Sequence, residues 1–395
     1  MQTVDDREAT WGATFPRYAL RAGPMTDGTS LPPDEPQDAS DEAVAEEPKP
    51  KFGKQQIIAG IVTLLILILV FAVVLPQLGD YGQAWEAIKS MEAWQLGLIV
   101  AATIGMILIY VLPFTAALPG LRYWDGFEVR QTSFMISNVI PAGGAFGLAV
   151  QYGMLQSYGF GSAPATAAIG ITSVWNVFIT LSLPVLGLIG LFVVGEGNSN
   201  AVTVTIIAAA VIIAAIVIFT LILRKESTAR KIGVWTDNLI QWAAGLINKT
   251  VDVDAEQGIV DFRNSIIGVV SDRWAWITLA NLGQQLAQFA ILYLAIVALQ
   301  GGFDGPIGFW EALAAFAFGR LATFIPVPPG GLGTTDAIIA GALTSFGMPN
   351  NDALAATMIW RAMTYFPQVI IGIITFLNFR RRQKKGEVGS MVPGG

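Results

Sequence analysis

Gly319-Arg-Leu-Ala-Thr-Phe-Ile-Pro-Val-Pro-Pro-Gly-Gly-Leu-Gly-Thr-Thr-Asp336 interrupts an otherwise apolar stretch running from Phe309 to Phe346. Proline removes a backbone donor and glycine relaxes the helix, so the run is predicted to break near its middle. A second apolar stretch, Gln131 to Ser157, breaks in the same way at Pro141-Ala-Gly-Gly-Ala-Phe-Gly147, which contains Gly143 and Gly144. With a rise of about 1.5 Å per residue, each arm is roughly half a bilayer long. Both stretches are therefore predicted to be re-entrant hairpins.

The rest of the chain agrees with a membrane setting. Of its 395 residues, 53% are hydrophobic and 13% charged, against about 25% charged in soluble domains. Mean hydropathy is +0.58. The sequence has no Cys and no His, which excludes disulfide frameworks, thiol nucleophiles, Cys/His metal sites and histidine bases. Any chemistry falls to carboxylates, amides, hydroxyls, Arg and Lys. No catalytic residue, metal or cofactor is expected, and nothing calls for nucleic acid. Residues 1–54 carry most of the acidic excess without an apolar period and are predicted to be a disordered acidic cytoplasmic tail. The first apolar run follows Lys51 and Lys54 and lacks the pattern of a cleaved leader.

Six further stretches are near the 20 or so residues that a spanning helix needs. They are Ile57–Leu75, Trp94–Leu112, Ala165–Val194, Ala201–Leu223, Trp274–Leu299 and Ala353–Phe379, the third carrying Pro184. Basic zones lie at Lys51 and Lys54, at Arg122 and Arg130, at Arg224 to Lys231 and at Arg380 to Lys385. The positive-inside rule puts these in the cytoplasm. Six spans satisfy it only if each broken stretch enters and leaves on one side. The predicted fold is thus an all-α polytopic membrane protein of six spanning helices and two re-entrant hairpins, in the cell membrane, with both termini cytoplasmic. Residues 55–379 form the transmembrane domain and 380–395 a basic cytoplasmic tail. Within residues 224–272, apolar positions step by three and four through Ile232, Trp235, Leu239, Trp242 and Leu246, then Ile259, Phe262 and Ile266. Two amphipathic helices on the cytoplasmic face are expected there.

An internal repeat links the two hairpins. Ser157-Tyr-Gly-Phe, followed by Ala165, Ala167, Ala168, Ile171 and Phe178, recurs at one constant offset as Ser345-Phe-Gly-Met, followed by Ala353, Ala355, Ala356, Ile359 and Phe366. The charge assignment has the first hairpin entering from the cytoplasm and the second from outside. Broken segments paired in an inverted repeat are a mark of transporters. A single such break would read as close helix contact.

Several residues are candidates for a site within this frame. Gly330, Gly331 and Gly333 would leave free N–H groups before a helix start, which suits an anion such as a lipid phosphate. No Gly-Lys-Ser/Thr follows, so this is not a nucleotide loop. Arg320 and Arg361 place charge inside apolar runs at a cost of a few kcal/mol. Either they pair with Asp336 and fix the hairpin, or they hold a phosphate head group through the planar guanidinium fork. Asn281, Gln284 or Gln285, and Gln288 form a polar stripe on the fifth span, suited first to interhelical hydrogen bonds and then to a wet pathway. Asn138, Gln151 and Asn176, like Gly143 and Gly144, are candidates of the same kind in the first repeat.

The segment Gly319 to Asp336, with the later Ile359-Trp-Arg361, resembles the transmembrane domain of lysylphosphatidylglycerol synthases and their stand-alone relatives, over most of residues 55 to 380. In that family an acid usually follows the Gly-Gly motif, matched by Asp336, and the last helix has an Arg, matched by Arg361. The resemblance implies flipping of aminoacylated phospholipid, or handling of polyprenyl-linked sugars. No aminoacyltransferase domain follows Phe379, so synthesis of lysyl-lipid is not expected. Gly147-Leu-Ala-Val-Gln151 stands where many relatives have Gly-Glu with a nearby Arg.

The expected function is translocation of a phospholipid or polyprenyl-linked lipid between leaflets, with membrane lipids as partners. A lipid-synthesising or glycosyltransferase partner and a homodimer stay open. One rival is an enzyme, or enzyme partner, acting on lipid-linked sugar through Asp336 or Asp125, although a lone acid beside Arg suits ion pairing better than proton donation. A non-transporting scaffold is the other. Topology separates these frames: in intact cells an impermeant thiol reagent is expected to label Pro349→Cys and to leave Gly161→Cys untouched. Labelling of both from one side overturns the inverted repeat.

Overall fold

In a computed structural model of the chain the described residues are 81–139, 143–195, 199–246, 255–324 and 333–389. The acidic tail, the predicted span Ile57–Leu75, and Gly330 and Gly331 lie outside them. The described residues form α-helices and one short 3₁₀ turn, Ala322–Phe324. The helices are α1 (Tyr81–Lys89), α2 (Ala93–Ile109), α3 (Leu112–Ala117), α4 (Tyr123–Val139), α5 (Gly143–Ser157) and α6 (Ser162–Val193). They continue with α7 (Ser199–Arg224), α8 (Glu226–Leu246), α9 (Ala255–Leu299), α10 (Phe309–Leu321), α11 (Thr334–Ser345) and α12 (Asn350–Lys384).

Four segments among the described residues are long and apolar enough to cross a membrane: Ala93–Ala117, which joins α2 to α3, Ser162–Val193, Glu256–Leu299 and Asn350–Lys384. Three contain one predicted span each, and Ser162–Val193 covers all but the last residue of Ala165–Val194. The predicted span Ala201–Leu223 falls within α7, a helix of 26 residues. Helix α6 runs through Pro184 without interruption.

Both broken stretches fold as helical hairpins. Ser133 Oγ of α4 donates to the Gly147 carbonyl of α5 at 3.0 Å. A Cβ on Gly143 would lie 2.4 Å from the Ile136 carbonyl oxygen, so only glycine lets α5 start against α4. In the second hairpin a Cβ on Gly319 would lie 2.4 Å from Ile339 of α11. The arms are longer than half a bilayer. Helix α4 begins at Tyr123 rather than Gln131, with Asp125 in its first turn, where a carboxylate favours the positive helix end. The four arms have 17, 15, 13 and 12 residues, or roughly 18 to 26 Å of helix.

The long helix of each repeat crosses over to the hairpin of the other: α12 lies along α4, and α6 along α10. Glycine makes both contacts close. A Cβ on Gly187 of α6 would lie 2.8 Å from the Ala314 Cα of α10, and one on Gly372 of α12 would lie 2.5 Å from the Gln131 carbonyl oxygen of α4. Small residues are what allow helices in apolar surroundings to approach this closely. Apolar clusters surround the hairpins, one drawn mainly from α2, the C-terminal half of α9, α10, α11 and α12, another mainly from α3 to α6 and the N-terminal half of α9.

The amphipathic segment differs from expectation. Helix α8 is a separate element, but the second amphipathic stretch is not. It is continuous with the fifth span in α9, 45 residues long and roughly 68 Å from end to end. The junction Ser271-Asp-Arg-Trp274 has no Pro or Gly, so nothing stops the helix where its hydrophobic pattern changes. Helix α8 folds back on α9, with Gly233 against Glu256 and Arg230 joined to Glu226 and Glu256 at 3.0 and 3.1 Å.

The crossed contacts set the stability of the hairpin frame. Gly372→Val is expected to lower apparent stability by about 1–3 kcal/mol through overpacking, read as a fall in melting temperature of the detergent-solubilised protein. Gly105→Ala, with nothing within 4 Å of its added Cβ, is expected to leave it unchanged.

Candidate functional site

A cavity of about 410 Å³ lies where the first arms of both hairpins, α4 and α10, meet α6, α9 and α12, with Tyr110 and Pro113 from the α2–α3 junction closing one side. Three guanidinium groups face it: Arg130 of α4, Arg320 of α10 and Arg361 of α12.

Their partners differ. Arg361 Nε donates to Asp336 Oδ1 at 2.7 Å, and its guanidinium carbon lies 4.9 Å from the Trp360 ring centroid. Asp336 sits behind Arg361, its side chain 4% exposed. Its other oxygen, Oδ2, accepts the Gly333 N–H at 2.7 Å. Gly333 has φ +81°, a region that glycine enters without steric cost, so the backbone can turn into α11 with its N–H aimed at Asp336. Arg130 stacks on Tyr110 and Phe114, 4.4 and 5.4 Å from their ring centroids. The Nε atoms of Arg130 and Arg320 are both shut off from solvent and have no hydrogen-bond partner among the described residues.

Polar side chains complete the walls. Asn138 faces the cavity, its Nδ2 donating to the Phe134 carbonyl at 2.8 Å and its own carbonyl accepting from Tyr365 Oη at 2.7 Å. Gln288 is also present, and its backbone carbonyl accepts from Trp360 Nε1 at 3.1 Å. Asn176, Asn281 and Gln284 line the same space.

Other sequence candidates lie elsewhere. Gln285 does not line the cavity and bridges α9 to α6, donating to Asn176 Oδ1 at 3.0 Å and to Thr180 Oγ1 at 3.3 Å. Gln151 pairs with Ser133 inside the first hairpin at 3.4 Å. Gly143 serves contact between α4 and α5, and Gly144 has open space around it; neither lines the cavity. Gly333 and Asp336 support the site from behind.

Arg130 was missed as a site residue because it sits beside Arg122 at the edge of an apolar run and reads as a loop cation. Helical spacing held the signal. Arg130, Phe134 and Asn138 recur every fourth residue and share one face, and all three line the cavity. Arg361, Thr364, Tyr365 and Gln368 form the matching face of α12. Among the described residues three guanidinium groups and one carboxylate meet here, so cationic hydrogen-bond donors outnumber anionic acceptors. Such an arrangement suits an oxyanion able to take several bonds at once.

The family described as "Lysylphosphatidylglycerol synthase TM region" matches residues 57–372, a range that includes both hairpins, α6, the first two thirds of α12 and all three arginines of the cavity. A phosphatidylglycerol lysyltransferase of Staphylococcus haemolyticus is similar, at 30% identity over 115 residues, which is 29% of this chain and 12% of that protein. The chain therefore matches only a small part of that relative's length. The extent of the family match, together with the apolar membrane-length helices, identifies the chain as a multi-pass membrane protein belonging to the lysylphosphatidylglycerol synthase transmembrane-region family.

Proposed function

We propose that the protein moves a phosphate-bearing lipid, a phospholipid or a polyprenyl-linked lipid, between leaflets. The head group passes through the cavity of Arg130, Arg320 and Arg361 while the tail stays in hydrocarbon. The observation that carries this reading is the pair of buried Nε atoms, on Arg130 and Arg320, that have no partner among the described residues in a cavity already holding Arg361. Charge among membrane helices costs a few kcal/mol even on the lenient scale and calls for a counter-charge. A phosphate entering the cavity supplies it. The name of the staphylococcal relative makes phosphatidylglycerol a sensible first probe.

In this reading α4–α5 and α10–α11 are re-entrant hairpins entering from opposite faces, within a transmembrane unit of residues 55–379 whose termini face the cytoplasm. The crossed pairing of α12 with α4 and of α6 with α10 supports it, since each hairpin is held by the other repeat. A hydrolytic reading built on Asp336 has less support. Both of its oxygens are engaged, by Arg361 and by the Gly333 N–H, and it does not line the cavity.

Proteoliposomes with labelled phosphatidylglycerol or labelled polyprenyl phosphate test the proposal. Wild-type protein is expected to accelerate transfer of at least one of them. Arg320→Gln and Arg130→Gln should each slow transfer about tenfold or more, the loss expected of one charged hydrogen bond, with unchanged elution of the purified protein. No acceleration of either lipid, or full-rate transfer by Arg320→Gln, overturns the reading. Asp336→Asn behaves differently: it strands a buried guanidinium and is expected to cost about 3–5 kcal/mol of stability, seen as a lowered melting temperature.

A further inference from the structure

A second cavity, about 700 Å³, lies between α6, α7 and α9 and is lined mostly by apolar side chains. Its wall is aromatic. Phe219 of α7 meets Trp175 edge-on at 5.7 Å and Phe178 at 5.4 Å, both from α6. Its rim carries Arg224, the last residue of α7, together with Ser271 and Trp274 of α9. Arg224 is exposed and makes no ion pair or hydrogen bond among the described residues. It opens the basic segment that continues through Lys225 and Lys231. Cationic side chains beside tryptophan are the usual furniture of a membrane interface and attract anionic head groups. The groove thus pairs a hydrocarbon-compatible wall with a cation at its rim, the two ends of one amphiphile.

The groove also adjoins the arginine cavity. Ile267, Ser271, Trp274 and Thr278 of α9 face the groove, and Asn281, Gln284 and Gln288 face the cavity. These positions step by three or four and form a single stripe on α9. Where the stripe changes character, Trp175 Nε1 donates to Thr278 Oγ1 at 2.9 Å.

We infer that this groove is a docking seat for an anionic phospholipid of the leaflet on the Arg224 side. Its phosphate rests on Arg224, and one acyl chain lies against the Trp175–Phe178–Phe219 wall. Its role as the place where lipid waits before entering the arginine cavity rests on the transport reading; the seat itself does not.

The test uses full-length protein in phosphatidylcholine vesicles with a trace of phosphatidylglycerol bearing a photoactivatable acyl chain, followed by peptide mapping. Crosslinks are expected in 175–182, 216–224 and 267–278, competed by excess phosphatidylglycerol and not by further phosphatidylcholine. Arg224→Gln should lower them about five-fold, the effect of one interfacial cation. Thr220→Trp, which fills the groove, should lower them as well, and Arg320→Gln should not. Crosslinks spread evenly over the membrane-facing helices, equal competition by phosphatidylcholine, or labelling that survives Arg224→Gln overturns the inference. Groove labelling without lipid transfer removes the transport reading and keeps the seat, whereas transfer without groove labelling removes the seat alone.

Discussion

The ion pair between Arg361 and Asp336 ties the second hairpin to the last helix at a point that faces the cavity. One carboxylate does three things there: it neutralises a guanidinium, holds that guanidinium in place, and takes the backbone N–H of Gly333 as α11 begins. Trp360, next to Arg361, bonds to the Gln288 carbonyl, so the arrangement reaches α9 as well. In a low-dielectric interior such a group is stable only while every member is present, because loss of one partner leaves the other charged and unsolvated. The site is thus part of what holds α9, α11 and α12 together, and Arg130 and Arg320 are the cations that it leaves without a carboxylate among the described residues.

The crossed repeats explain how a membrane protein can keep such a cavity open between helices. Each hairpin is backed by the long helix of the other repeat, at contacts where glycine removes the side chain that would hold the backbones apart. Close approach at Gly187 and Gly372 leaves the first arms α4 and α10 free to present their other faces inward. Those faces carry Arg130 and Arg320.

Much of this was legible in the residues. The Pro and Gly clusters marked both hairpins, because few other residues disrupt a helix so reliably, and the cost of intramembrane charge marked Arg320 and Arg361. The polar stripe on the fifth span pointed to the cavity wall, although neighbours such as Gln285 and Gln288 were separable only by partners on α6 that are distant in sequence. Arg130 was masked by position, since a cation at the edge of an apolar run looks like any loop residue. The continuity of α9 was hidden for a related reason: a change from amphipathic to apolar pattern looks like a boundary, yet without a breaker the backbone has no cause to stop. Gly330 and Gly331 lie outside the described residues, and of the three glycines Gly333 alone has a seen role.

Helix α9 gives the two chambers a common wall. Since groove and cavity are lined by successive residues of one stripe on a single unbroken helix, turning that helix about its axis would withdraw both linings together. Separate control of the chambers must therefore come from a neighbour. Helix α6 is such a neighbour, since Trp175 reaches from it to Thr278 at the step between the two linings.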